Sequence, residues 1–227
     1  MNGAVELITR ALAAISAIEW VAVVLALAYL VLAVRQNTWC WLFAALSSAL
    51  YLWLFAGAGL RMQAALQVFY IAMAGYGWFA WHRGRRVSTG SDESAAPRTA
   101  ETLSVTRWSL RRHLAAVGVV VAVTCVNAAL LRAAPSAGEA GGDGFVAYAD
   151  AAIAWGSVLT TWMVARKVLE NWLYWIVLDL AAAWLYGSQG LYATSVLFVV
   201  YAVIAARGYQ SWRASMESVP QVQPVDA

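Results

Sequence analysis

An all-α integral membrane fold is predicted, with seven transmembrane helices in a 3+1+3 order: two parallel triple-helix repeats joined by one connector. Three observations predict it. The 227-residue chain is 63% hydrophobic and only 12% charged, about half the charge of an average soluble domain. Those charges gather in short stretches and leave long apolar runs between them. A soluble core of this size could not hide so many runs, whereas lipid can surround them. Finally, the sequence matches itself without a gap at an offset of 131 residues.

The elements follow in chain order. Residues 1–17 form a lead-in where Glu6 precedes the first arginine, Arg10. That order lacks the basic start of a cleaved signal peptide, so the stretch reads as an amphipathic lead-in or an extension of the first span. Crossing a ~30 Å hydrocarbon core takes roughly 20 helical residues. Candidate spans lie at 18–34, 39–58, 62–81, 114–131, 145–165, 172–186 and 191–206. The third carries no charge, and the fifth starts weakly because Asp150 sits near its entrance. The last two are short and are divided by Gly187-Ser188-Gln189-Gly190, a tight-turn sequence. Residues 18–81 thus make the first bundle, 114–131 the connector and 145–206 the second bundle. Between them, 82–113 forms a linker whose stretch 82–109 holds Arg83, Arg85, Arg86, Asp92, Glu93, Pro97 and Arg98 with no apolar periodicity. It reads as a solvated cytoplasmic linker. A second loop, 133–144, is rich in Ala and Gly, and 207–227 is a cytoplasmic tail containing Pro220 and Pro224.

Charge sets the orientation. With the N-terminus outside, 12 of the 15 Lys and Arg fall on the inner side, leaving only Arg10, Arg61 and Arg132 outside. The positive-inside rule then gives N-out, C-in across a bacterial inner membrane. The net charge of +3 does not point to nucleic acid, because the basic residues flank apolar runs instead of sharing a face. Cys40 and Cys125 form neither a CxxC pair nor a spaced framework, so no metal, cofactor or disulfide is expected.

At the 131-residue offset, 19–81 falls on 150–212. Arg35 meets Arg166, Trp41 meets Trp172, Trp53-Leu54 meets Trp184-Leu185, and Gly59-Leu60 meets Gly190-Leu191. Further along, Tyr70 meets Tyr201, Gly77 meets Gly208 and Trp81 meets Trp212, while Glu19 meets Asp150. A three-helix unit plus one connector is an even number of crossings, so both copies point the same way. The arrangement implies a pseudo-twofold axis along the membrane normal, with a solute site at the repeat interface near the midplane.

Polar groups within spans mark candidate pathway residues. Asp179 lies near the middle of the sixth span, where an aspartate costs about 2.5–3.5 kcal/mol on insertion scales. Trp172, Trp175 and Asp179 are spaced i, i+3, i+7 and share one helix stripe. Two indole faces and a carboxylate suit a flat, cationic, partly aromatic ligand. The competing reading places Trp172, at the span end, in an interfacial aromatic belt and gives Asp179 a hydrogen bond to a neighbouring helix. The third span offers Gln67 with Tyr70 at i+3, and the offset puts Ser48 over Asp179. Thr124 and Asn127 on the connector are weaker candidates, and Gly75, Gly77 and Gly208 read as close-packing points. Catalytic arrangements are not visible: His82 and His113 lie in or beside the linker, and no HExxH motif occurs.

The stretch Trp172-Leu-Tyr-Trp175-Ile-Val-Leu-Asp179 resembles the WxxWxxx(N/D) segment of the PnuC vitamin transporters. Leu66-Gln67-Val-Phe69-Tyr70, with Gly75-Tyr76-Gly77-Trp78 and Trp81, resembles that family's third helix, and Gly208-Tyr209-Gln-Ser-Trp212 its last. The resemblance implies a 3+1+3 fold related to the SWEET sugar transporters. It also implies facilitated diffusion of nicotinamide riboside, or of thiamine or riboflavin, followed by trapping through intracellular phosphorylation. Carried over by position, Gln67, Trp172, Trp175 and Asp179 line the substrate site. The expected partners are a small vitamin substrate and membrane lipids, and homo-oligomerisation stays open. A non-transporting membrane subunit is the alternative of another class, and a membrane enzyme ranks last.

Overall fold

The computed structural model describes residues 17–57, 61–86, 103–133, 144–188, 190 and 192–217. Seven helices account for nearly all of them: α1 (Ala17–Val34), α2 (Cys40–Gly57), α3 (Arg61–Arg86), α4 (Leu110–Ala133), α5 (Gly144–Ala165), α6 (Asn171–Ser188) and α7 (Tyr192–Glu217). At 1.5 Å per residue, lengths of 18 to 26 residues give helices of roughly 27–39 Å, enough to cross the hydrocarbon core. Among the described residues, α1, α2 and the Leu110–Asn127 part of α4 are also apolar enough to span on composition alone. The other helices carry polar groups on inner faces or basic extensions beyond the apolar zone, which lowers their mean hydropathy.

The packing is inside-out relative to a soluble protein. Outward faces present Val24, Leu114, Val177 and Val203, whereas Ser47, Ser48, Ser157, Thr160, Thr161 and Asp179 are buried. Water would penalise that distribution; lipid favours it. Three of the buried hydroxyls are satisfied within their own helix. Ser157 donates to the Ile153 carbonyl (2.8 Å), Thr160 to Gly156 (2.7 Å) and Thr161 to Ser157 (2.8 Å). Ser47 and Ser195 instead join helices, donating to the carbonyls of Ala22 (2.9 Å) and Ala183 (2.7 Å).

In each bundle the middle helix packs on both others: α2 on α1 and α3, α6 on α5 and α7. The bundles meet twice, α3 against α5 and α7 against α1, so six helices close a ring. Under the repeat these two seams are equivalent, as a pseudo-twofold axis requires. Helix α4 leans on α5 from outside the ring, which removes Thr124 and Asn127 from its interior.

The symmetry holds at the level of single atoms. α1 ends with Gln36 N–H donating to Ala33 (3.0 Å) and Asn37 N–H to Leu32 (2.9 Å). α5 ends with Lys167 N–H donating to Val164 (3.0 Å) and Val168 N–H to Met163 (3.0 Å). Both are Schellman caps, which usually place glycine at the left-handed residue. Here Gln36 (φ 53°) and Lys167 (φ 50°) occupy it, each at a cost of order 1 kcal/mol.

Three boundaries differ from the sequence reading. α3 runs on to Arg86 and α7 to Glu217. On α7 the helix outlasts its apolar run because it stays packed, with Trp212 buried and bonded to Ala33, while the exposed Arg213–Glu217 pair (3.0 Å) is one i,i+4 contact on its outer face. The linker is not solvated throughout. Thr106 bridges the α5–α6 turn, its N–H donating to Lys167 (3.0 Å) and its carbonyl accepting from Leu169 (2.8 Å). The Trp108 N–H donates to the Glu170 carboxylate (3.2 Å). α4 then starts at Leu110, four residues before its apolar run. The lead-in to residue 16, linker residues 87–102, most of the 133–144 loop and the tail beyond 217 lie outside the described residues.

Candidate functional site

Asp179 sits at the middle of eighteen-residue α6 and is 5% exposed. Its helix presents Val177 and Leu180 outward, so helical geometry turns Asp179 toward the protein interior. Among the described residues it makes no hydrogen bond. Tyr201 of α7 is among its neighbours. A buried carboxylate without a donor is costly, and a ligand bearing a cation or hydroxyls would relieve that cost. Trp175, one turn earlier, is half-buried and packs against the aromatic core with Ile176.

In the first bundle, Gln67 and Tyr70 of α3 are half-buried. The Tyr70 hydroxyl is within reach of Ser157 on α5, which places it at the α3–α5 contact. The Gln67 amide, like the Asp179 carboxylate, makes no hydrogen bond among the described residues. Ser48, the repeat partner of Asp179, is 8% exposed at the middle of α2. Asp179 and Ser48 therefore lie at the middle of α6 and α2, and Gln67 and Tyr70 in the first half of α3, all members of the ring.

Trp172 has a different setting. It is 1% exposed, and a Cβ added at Gly208 would meet its ring at 2.5 Å. Trp41 relates to Gly77 in the same way. Trp172 and Trp212 meet edge to face at 5.3 Å, and Trp41 and Trp81 at 5.5 Å. Trp81 and Trp212 join the two pairs at 6.1 Å. Scaffold packing thus accounts for the burial of Trp172, although its indole N–H and that of Trp41 have no hydrogen-bond partner. Gly75, in contrast, is not a close-packing point: an added Cβ would meet nothing within 4 Å, because it lies on the outward face.

The tryptophan lattice ties the two bundles together at the basic end of the ring. The Trp81 indole donates to the Ala165 carbonyl (3.2 Å) and the Trp212 indole to Ala33 (3.0 Å), each reaching into the other bundle. Sequence reasoning paired these tryptophans but did not assign them a closing role. It also missed Tyr201 as a neighbour of Asp179, although the match of Tyr70 with Tyr201 was visible at the repeat offset.

Comparison with known proteins agrees with this architecture. The chain is 27% identical over 206 residues to the riboflavin/roseoflavin transporter RibM of Streptomyces davaonensis, covering 90% of this chain and 89% of that one. It is 28% identical over 159 residues to the nicotinamide riboside transporter PnuC of Escherichia coli, covering 65% and 64% respectively. The crystal structure of the vitamin B3 transporter PnuC superposes with a TM-score of 0.60 at 19% identity, covering 87% of this chain and 80% of that one. That likeness carries the fold. The nicotinamide mononucleotide transporter profile matches residues 16–214, so the chain is a multi-pass membrane protein belonging to that family.

Proposed function

We propose that the chain carries nicotinamide riboside by uniport across the bacterial inner membrane, with the N-terminus outside, and that intracellular phosphorylation traps the product. The observation that carries this reading is Asp179: buried at mid-membrane, without a hydrogen bond among the described residues, and one turn from Trp175. The nicotinamide ring of the riboside is a cation attached to a hydroxylated sugar. A carboxylate can neutralise the ring, an indole face can stack on it, and Gln67, Tyr70 and Ser48 supply hydrogen-bonding groups for the sugar. Trp172 forms the floor toward the basic end. The excess of Lys and Arg at that end supports a cytoplasmic position for it.

Riboflavin is the second reading, motivated by the similarity to RibM along 90% of the chain. Its ring system is neutral, so Asp179 would serve it only as a hydrogen-bond acceptor. Calorimetry on the detergent-purified protein separates the two. Nicotinamide riboside is expected to bind, thiamine more weakly, and Asp179→Asn should weaken the riboside far more than any binding of riboflavin. Binding of riboflavin alone would overturn the substrate and keep the transporter. Absence of flux of all three in proteoliposomes would favour a non-transporting subunit. Flux that is unchanged by an imposed proton gradient is the expected signature of uniport; acceleration by the gradient would replace it with proton coupling.

A further inference from the structure

The two left-handed cap residues, Gln36 and Lys167, are repeat partners and touch each other. The Lys167 ammonium donates to the Gln36 side-chain carbonyl at 3.1 Å, across a separation of 131 residues. Lys167 is 7% exposed and also lies over the Trp81 ring at 4.8 Å. The Gln36 amide donates to Ser215 on α7 at 2.7 Å. A Schellman cap favours glycine at this residue, yet both copies hold a long polar side chain in the strained conformation. Strain retained at equivalent sites, where the two side chains then bond, points to a role beyond ending a helix.

We infer that the Lys167–Gln36 pair is a latch across the pseudo-twofold axis that holds the basic end of the ring closed, so that opening to that side requires it to break. It lies where the bundles are most tightly tied, beside the Trp81 and Trp212 indoles that reach across the seams. Thr106 holds the backbone of Lys167 from outside through its N–H, which fixes one half of the latch to the segment leading into α4. Gln36 has its second anchor on α7. Separation of the bundles at this end therefore pulls directly on the pair.

The chain supplies its own reporter. Cys40 is fully buried among the aromatic residues at this end, whereas Cys125 is exposed, and the sequence has no other cysteine. In a Cys125→Ser background, alkylation of Cys40 by N-ethylmaleimide in membranes measures opening of the seal. Slow reaction is expected for the background protein. Gln36→Lys sets two cations against each other and should speed alkylation at least about tenfold. The exchange Gln36→Lys with Lys167→Gln restores one cation and one amide across the axis, and should return the rate to within about twofold of the background. Unchanged labelling in Gln36→Lys, or failure of the exchange to restore protection, would overturn the latch. Should Gln36→Lys not fold, as judged by gel filtration, Lys167→Met removes the bond without adding charge. A severalfold faster reaction is then expected, and an unchanged rate has the same adverse meaning. Since no substrate enters the assay, its outcome is independent of which vitamin binds.

Discussion

At the basic end the first and second bundles are near copies. Trp41 lies on Gly77 as Trp172 lies on Gly208, Trp81 and Trp212 each cross to the other bundle, and both first helices end in the same cap. At mid-membrane they part. The second bundle has Trp175 and Asp179 where the first has Ala44 and Ser48, and the first has Gln67 where the second has Phe198. The residues that fit one another are alike in the two bundles, whereas the candidate positions differ. Symmetry therefore marks most of the scaffold here, and departure from symmetry most of the candidate chemistry, with Tyr70, matched by Tyr201, as the exception. On that criterion Trp172 belongs with the scaffold more than Trp175 does, even though both lie on one stripe.

The largest effect should come from the least symmetric residue. Asp179→Ala should weaken nicotinamide riboside binding by about 10- to 150-fold, the loss of one charge-assisted contact, as read by calorimetry. The thermal midpoint should hold or rise, because an uncompensated buried charge has been removed. Retained affinity would take Asp179 out of the site. The symmetric glycines should act on stability instead. Gly77→Ala and Gly208→Ala each push a methyl into an indole and should cost about 1–3 kcal/mol, seen as similar drops in the detergent melting temperature. A drop in only one of them would break the equivalence of the bundles.

Trp175→Ala should cost about 0.5–2 kcal/mol of binding, the range of a cation–π contact, with a smaller loss for a neutral ligand than for a cationic one. Equal losses for both would reduce Trp175 to a packing residue. The smallest effect is expected at Ser48→Ala, within about threefold in affinity, since a hydroxyl exchanged against water contributes about 1 kcal/mol or less. A loss at Ser48 matching that at Asp179 would mean that both bundles contribute equally to the ligand.

Most of the framework was legible in the chain because its causes are local or periodic. Apolar runs of bilayer length give spans, the glycine at Gly190 (φ +78°) allows the tight turn after α6, and the fixed offset between repeats gives the pseudo-twofold axis before any coordinate is known. Candidates such as Asp179 and Gln67 were visible because an intramembrane polar group stands out against hydrocarbon. The repeat also pairs Gln36 with Lys167, but the sequence alone gives no sign that they meet. Their bond forms between residues 131 apart, and only the assembled ring brings the two caps to the axis. The same holds for the neighbours of Asp179. Helix period determines which face of α6 turns inward, but whether a donor waits there depends on how α2 and α7 pack around it. Local chemistry and periodicity settle what each helix is, whereas contacts between distant segments depend on side-chain fit across the seams, which no single stretch of sequence encodes.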